Sequence, residues 1–495
     1  MQKIFPSPPN RCLSGATSSK PRSLSSRFPS FQLLMMGLMT GLLDLSAWAQ
    51  DAGSSAPAAP LSNTVELELN AGDTAWMIVA TVLVLLMIPG LAFFYGGLVR
   101  TRNTLNTLMM TLGAMGVLGL IWTFVGYSLS FGHGGESNAY IGGGEYLGLT
   151  NFIQPVAHVA SPTIPISVHS MFQAMFFLIT PALMSGALVE RMKFSSYLVF
   201  IALWSVLVYC PIAHWTWAPG GWIAGLGIMD FAGGMVVHTS AGFSALAAAI
   251  LLGRRNGYGQ VAMSPHSMPL CLLGGSLLWI GWCGFNGGSA LHADALAALA
   301  MTNTIVAACS AMFIWMMIDF MTRKSMTALG AITGAVVGLV AVTPASGFVT
   351  PLGAVAVGAI ASAVCFVMVS LRSRGPVDDS LDVFAVHGIG GMCGTVLTGI
   401  FATGALKTSG LNAYALPGLA EGGTQVFLRQ IGAGFIVAVF AFVMTFFLLK
   451  CIEAVMGLRV NEEAEFMGLD SSQHSEEAYS ADDEANLMPA PSYVA

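Results

Sequence analysis

The chain has 495 residues, of which 55% are hydrophobic and only 9% are charged, with a formal charge of −6. A charged fraction so far below the ~25% of soluble domains excludes an ordinary soluble fold. Apolar runs of about 20 residues recur without alternation, which points to α-helical spans and away from a β-barrel. No basic patch lies outside short loops and the N-terminus, so nothing supports a nucleic-acid partner.

The N-terminal stretch carries Lys3, Arg11, Lys20, Arg22 and Arg27 and no acid up to residue 30. "FQLLMMGLMTGLLDL" and "AWAQ" follow. This pattern is expected to be a signal peptide over 1–49, with a Ser-rich organellar transit peptide as the alternative. Residues 50–73 read as an extracytoplasmic lead-in.

Eleven spans are expected, near 74–99, 104–131, 165–189, 195–217, 230–252, 268–287, 295–319, 326–343, 348–371, 383–404 and 427–456, making residues 74–456 the membrane domain. Arg100 and Arg102, Arg191 and Lys193, Arg254 and Arg255, Arg323 and Lys324, and Arg372 and Arg374 fill the loops on one side, against Lys407 and Arg429 on the other. That asymmetry places the N-terminus outside and the C-terminus in the cytoplasm. The acidic tail, 457–495, reads as either disordered or ordered on binding a partner.

Cysteines are scattered, with no CxxC pair, and read as small buried hydrophobes. No metal, cofactor or catalytic motif stands out, so the chain is read as a non-enzyme in a lipid bilayer.

Two stretches match in spacing. "DFAGGMVVHTSAG" places His238 eight residues after Asp230, and "DSLDVFAVHGIGG" places His387 eight residues after Asp379. The spans containing them run in opposite directions. If each Asp opens a helix, each His lies about 12 Å from its own face at 1.5 Å per residue. Two such histidines would end near the middle of a hydrocarbon core about 30 Å thick. Five spans separate the copies, the expectation for an inverted 5+5 repeat with one added helix. A lone intramembrane His is often only tied to a neighbouring helix; two that converge favour a pathway. Both Asp residues read first as helix caps. Two adjacent imidazoles would be neutral or share one proton, suiting a small neutral ligand or a proton relay. Trp215, Trp217 and Trp222 cluster at one boundary, where interfacial belts also place Trp. Phe172, Phe176, Phe285 and Ser289 could serve a small cation by cation–π attraction and a hydrogen bond.

The stretches "IPGLAFFYGGLVRTRN", "FQAMFFLITPALMSGALVER", "DFAGGMVVHTSAG", "GWCGFNGGS", "VTPASG", "DVFAVHGIGG" and "GLRVNEEAEFMGLD" occur in order. With them, the chain from about Ala71 to Tyr479 resembles the ammonium transporter family, the Amt/Mep/Rh group. The resemblance implies a homotrimer of eleven-helix subunits in the inner membrane. It implies that Trp217, Phe176 and Ser289 recruit ammonium at the outer face, with Asp230 organising the site. Phe176 and Phe285 would be a stacked gate beside Phe172, His238 and His387 the pore pair, and Phe94 part of the inner vestibule. Ammonium would be deprotonated and ammonia conducted, with or without a proton. The tail residues Gly457, Arg459, Glu462, Gly468 and Asp470 would serve regulation by a PII-type signalling protein. Departures are Met175 beside Phe176, and Thr239 and Ser240 after His238. Rival readings are an ammonium sensor with this fold acting through its tail, a haem protein with His238 and His387 as axial ligands, and conduction of methylamine or carbon dioxide.

Overall fold

The computed structural model describes residues 69–150, 152–153 and 156–479. The expected signal peptide, most of the lead-in and the last residues of the tail lie outside them. Among the described residues, ten helices are long and apolar enough to cross a membrane. They are α1 (Ala71–Leu98), α2 (Thr101–Phe131), α3 (Ile166–Leu188), α4 (Phe194–Gly225), α5 (Gly234–Leu252), α6 (Met268–Gly288), α7 (Ala295–Arg323), α9 (Pro351–Arg372), α10 (Phe384–Phe401) and α11 (Thr424–Met456). Between α7 and α9 lies the shorter apolar helix α8 (Ala328–Val342). Its 15 residues rise only about 22 Å. A short antiparallel hairpin, β1 (Ala157–His158) and β2 (Ser161–Pro165), precedes α3.

Helix starts follow local chemistry. Asn70, Ser267, Asp294, Thr327 and Thr350 each accept a first-turn amide with their side chains, opening α1, α6, α7, α8 and α9. The apolar window of α3 is 94% buried, against 33% in α7 and in α9, so α3 is central and the other two present most of their apolar surface outward. Helix α6 packs along α1 through Gly274, Gly281 and Gly288, spaced seven apart, where a Cβ would strike Phe94, Leu83, Met87 or Ala80. Small faces let these backbones approach closely.

The two His-bearing helices depart from the expected geometry. Both begin as π-helix, Gly234–Thr239 in α5 and Phe384–Ile389 in α10, and both histidines lie inside those turns. Helix α5 starts four residues beyond Asp230, after Gly233 at φ 114°, a left-handed conformation that suits glycine. The α-helical rise therefore does not apply between the Asp and the His. The wide first turn has a cause: the Asp230 carboxylate collects the amides of Gly233, Gly234, Met235 and Val236. Asp379 likewise accepts from the amides of Val383 and Phe384. Single π turns recur at functional sites.

The tail from Gly457 to Tyr479 packs against the body of the protein. It contains the short helix α12 (Glu462–Met467). Arg459 pairs with Glu465 at 2.6 Å and donates to Leu252 O, at the end of α5. Glu465 also accepts from the Asn256 amide, 2.6 Å. Asp470 accepts from the amides of Leu105 and Asn106, and burial pushes its carboxyl up against those hydrogen bonds. Gly468, at φ 110°, lies against Arg102 with no room for a Cβ. Gly457 O accepts from Ser196 Oγ, 2.6 Å. Glu462 stands in the first turn of α12, on the exposed side. Buried apolar anchors Leu458, Val460 and Leu469 hold the segment to the body, so a free acidic tail does not describe residues 457–479.

Candidate functional site

Helices α1, α3, α4, α5, α6 and α10 send side chains toward one narrow line through the molecule. At one end stand Trp217 and Ser289, both half-buried. Trp217 ends the long part of α4, just before the break that precedes Trp222–Gly225, and its indole N–H donates to the Asp230 carbonyl at 2.9 Å. Asp230 thus acts twice: its carboxylate is fully used by four amides, and its carbonyl fixes the Trp217 ring. Neither leaves a carboxylate oxygen free to bind a cation. Ser289 Oγ donates to Phe285 O, 2.7 Å, which commits its hydrogen and leaves its lone pairs as acceptors.

Beneath Trp217 lies Phe176, edge-on at 5.6 Å and 81°. Phe172 meets Phe176 at 5.0 Å and 69°. The Phe176 and Phe285 centroids are 4.3 Å apart at 43°. The expected stacked pair is therefore a tilted one. Two electron-rich faces avoid a parallel sandwich, and Phe176 is also turned edge-on by Trp217. Both rings are buried.

Below Phe285 the two histidines meet. His238 Nδ1 and His387 Nδ1 are 3.2 Å apart, with ring centroids at 5.3 Å. A hydrogen bond between two Nδ1 atoms needs one N–H and one lone pair, so a doubly protonated pair cannot make it. In the neutral pair, one Nε2 is then a bare acceptor and the other an N–H donor. His238 Nε2 is buried without a partner. Both rings line a passage completed by Met87, Leu91, Phe94, Ile179, Leu278 and Val336. Its free space is about 10 Å³, the threshold for a single water. Trp282 was not anticipated from the sequence: it stacks on His238 at 5.4 Å and 23° and donates to Thr343 Oγ1, 2.9 Å. Its spacing, three residues before Phe285 on one helical face, is the signal that would have found it.

Past His387 the passage widens into a cavity of about 300 Å³ bordered by Phe94, Tyr95, Arg255, Tyr258, Arg372 and Asp382. A buried ionic cluster supports its wall. Arg255 lies between Glu190 and Asp378, both at 2.9 Å, and Arg100 also pairs with Glu190 at 2.9 Å. Burial pushes the Glu190 and Asp378 carboxyls up, but Arg255 outweighs it, with Arg100 at Glu190 and Arg191 at Asp378, so both titrate below their ordinary range.

The close approach of the histidines leaves no room for a macrocycle between them, which removes the haem reading. Among the described residues no group of three His, Cys, Asp or Glu side chains could hold a metal ion.

The fold and this line of residues define a multi-pass helical membrane protein with a narrow passage lined by aromatic rings and two facing histidines. A model of the Ammonium Transporter Family matches residues 75–479. The ammonium transporter of Bacillus subtilis is 44% identical over 410 residues, covering 82% of this chain and 98% of that one. Mep2 of Candida albicans superposes with a TM-score of 0.76 at 33% identity, over 86% of this chain and 93% of that one. A structure described as a sensor Amt protein superposes with a TM-score of 0.73 at 29% identity, over 81% and 98%. The chain belongs to the ammonium transporter family, as its sequence resemblance implied.

Proposed function

We propose that this protein captures ammonium at Trp217, Phe176 and Ser289, where the cation releases its proton to water at the outer mouth, and conducts ammonia between Phe176 and Phe285 and past His238 and His387. The observation that carries the proposal is the His238–His387 pair, 3.2 Å apart inside an apolar passage that has no other ionisable side chain on its wall except Tyr95. The Trp217 ring attracts a cation by its face, and Ser289 supplies lone pairs for an ammonium N–H. Potassium of similar size has no hydrogen to donate. A desolvated cation is costly to hold in a space this small and apolar, whereas ammonia is neutral. The histidine pair offers it one donor and one acceptor, so ammonia replaces its lost water partners there. Asp230 acts by shaping the capture site. A proton can accompany ammonia along the imidazoles.

The same reading takes α8 as an eleventh crossing, with an inverted 5+5 repeat plus α11. The matched Asp–His spacing and π turns of α5 and α10 support it. The arginine-bearing loops and the tail face the cytoplasm, the Trp217 end faces outward, and residues 1–49 are a signal peptide, in keeping with an inner-membrane protein that assembles as a homotrimer. A PII-type signalling protein is a suitable partner for the ordered tail surface around Arg459, Glu462 and Asp470. A second reading, an ammonium sensor signalling through that tail, is favoured by the likeness to the sensor Amt protein.

The expected result in proteoliposomes is saturable methylammonium uptake that ammonium competes away and potassium in equal excess does not. Equal competition by potassium would contradict capture by hydrogen-bond donation.

A further inference from the structure

Ser289 is held in place from an unexpected direction. It lies at the start of the turn that joins α6 to α7. That turn is tight: Leu291 adopts φ 62°, and its amide returns to Gly288 O at 2.9 Å. A left-handed Leu is a costly conformation that persists only where its surroundings hold it. On the α7 side, Asp294 is occupied with capping the amides of Leu296 and Ala297. One amide of the turn, Ala293 N–H, crosses to α1 and donates to Asp73 Oδ1 at 2.8 Å. One helical turn further, Trp76 reaches Gly287 O with its indole N–H at 3.4 Å, and its ring, with Met301, crowds the space that a Cβ on Gly287 would need. The first two turns of α1 therefore grip the segment on both sides of Ser289, at Gly287 and at Ala293. Asp73 is itself buried, in a place where a carboxylate without that amide would be poorly solvated.

We infer that Asp73 is a positioning residue for ammonium capture: its hydrogen bond to Ala293 fixes the turn that presents Ser289 to the cation. The inference rests on the assignment of Ser289 to the capture site. Asp73 acts through the turn and does not touch the substrate.

The test is the concentration dependence of methylammonium uptake in proteoliposomes, with Asp73→Ala, Asp73→Asn, Ser289→Ala and the Asp73→Ala/Ser289→Ala pair beside wild type. Loss of a charge-assisted buried hydrogen bond, partly transmitted to the site, should raise KM about three- to tenfold in Asp73→Ala with the maximal rate little changed. Asp73→Asn keeps an acceptor oxygen and should recover most of the loss. In the Ser289→Ala background, Asp73→Ala should add little, because the two act on one interaction. A purely structural defect would lower the maximal rate and add independently. Unchanged KM in Asp73→Ala while Ser289→Ala is impaired would overturn the inference. So would an Asp73→Asn as impaired as Asp73→Ala, since charge and not the hydrogen bond would then matter. Unchanged KM in Ser289→Ala would instead defeat the capture-site assignment itself.

Discussion

Glu190→Ala is expected to lower the stability of the purified protein by about 3–5 kcal/mol, the cost of breaking a buried charge cluster from one side. Glu190 is fully buried and holds Arg100 and Arg255 at once, each at 2.9 Å. Its second oxygen also accepts from the Arg100 amide and from Asn103. Removing it leaves Arg255, itself nearly buried, with Asp378 alone. The backbone adds to the effect, because Glu190 sits at φ 69° and is kept there by these contacts. The pH dependence has a definite sign. Glu190 and Asp378 titrate below their ordinary values, so their contribution is complete above the unfolded carboxylate range, near pH 4, and is lost as pH falls through the folded values. The gap in thermal unfolding midpoint between wild type and Glu190→Ala should be large at pH 7 and shrink below about pH 4. A gap that is small at pH 7, or constant with pH, would show that the cluster does not stabilise the fold in this way.

Gly242→Ala is expected to cut methylammonium uptake by about tenfold or more while the protein still folds, with an overpacking cost of about 1–3 kcal/mol. Gly242 on α5 lies where α10 crosses it. A Cβ there would run into the Gly388 backbone and come within 2.9 Å of the His387 carbonyl carbon. Gly391 is also crowded, its Cβ site lying 2.8 Å from His238 Cβ. The two helices can approach because neither carries a side chain at the crossing, and the 3.2 Å histidine contact depends on that approach. Separating the helices by even part of a methyl group takes the Nδ1 atoms beyond hydrogen-bond range. Gly116→Ala in α2 is the control, because its Cβ would meet nothing within 4 Å. Uptake by Gly242→Ala equal to that of Gly116→Ala would show that the crossing does not set the passage.

Much of this arrangement is legible in the sequence because its signals are local. Runs of apolar residues place the helices to within a few positions, and the equal Asp–His spacings on opposed spans point to a meeting of His238 and His387, though the π turns replace the α-helical rise that the spacing assumes. What escapes is set by distant partners. The π turn of α5 goes with one carboxylate distributed over four amides, whereas Asp230 in sequence reads first as a cap. Trp282 is one more tryptophan in an apolar run until His238 lies against it. Glu190, Arg255 and Asp378 come from three separate loops, and in sequence their charges report only which side those loops share. Asp73 and Ala293 are 220 positions apart. The tail shows acidic residues in plenty, yet its order comes from Leu458, Val460, Leu469 and the amides of α2, which composition hides.

The most direct measurement is ammonium and methylammonium uptake into proteoliposomes by wild type beside His387→Ala, with His238→Ala as its counterpart. Replacing either ring removes the shared Nδ1 hydrogen bond and the polar partners that the passage offers ammonia. A pathway through the histidine pair requires uptake to fall by about tenfold or more, a loss of some 1.4 kcal/mol or more of transition-state stabilisation, with thermal stability little changed. Rates in the histidine variants identical to wild type would contradict it.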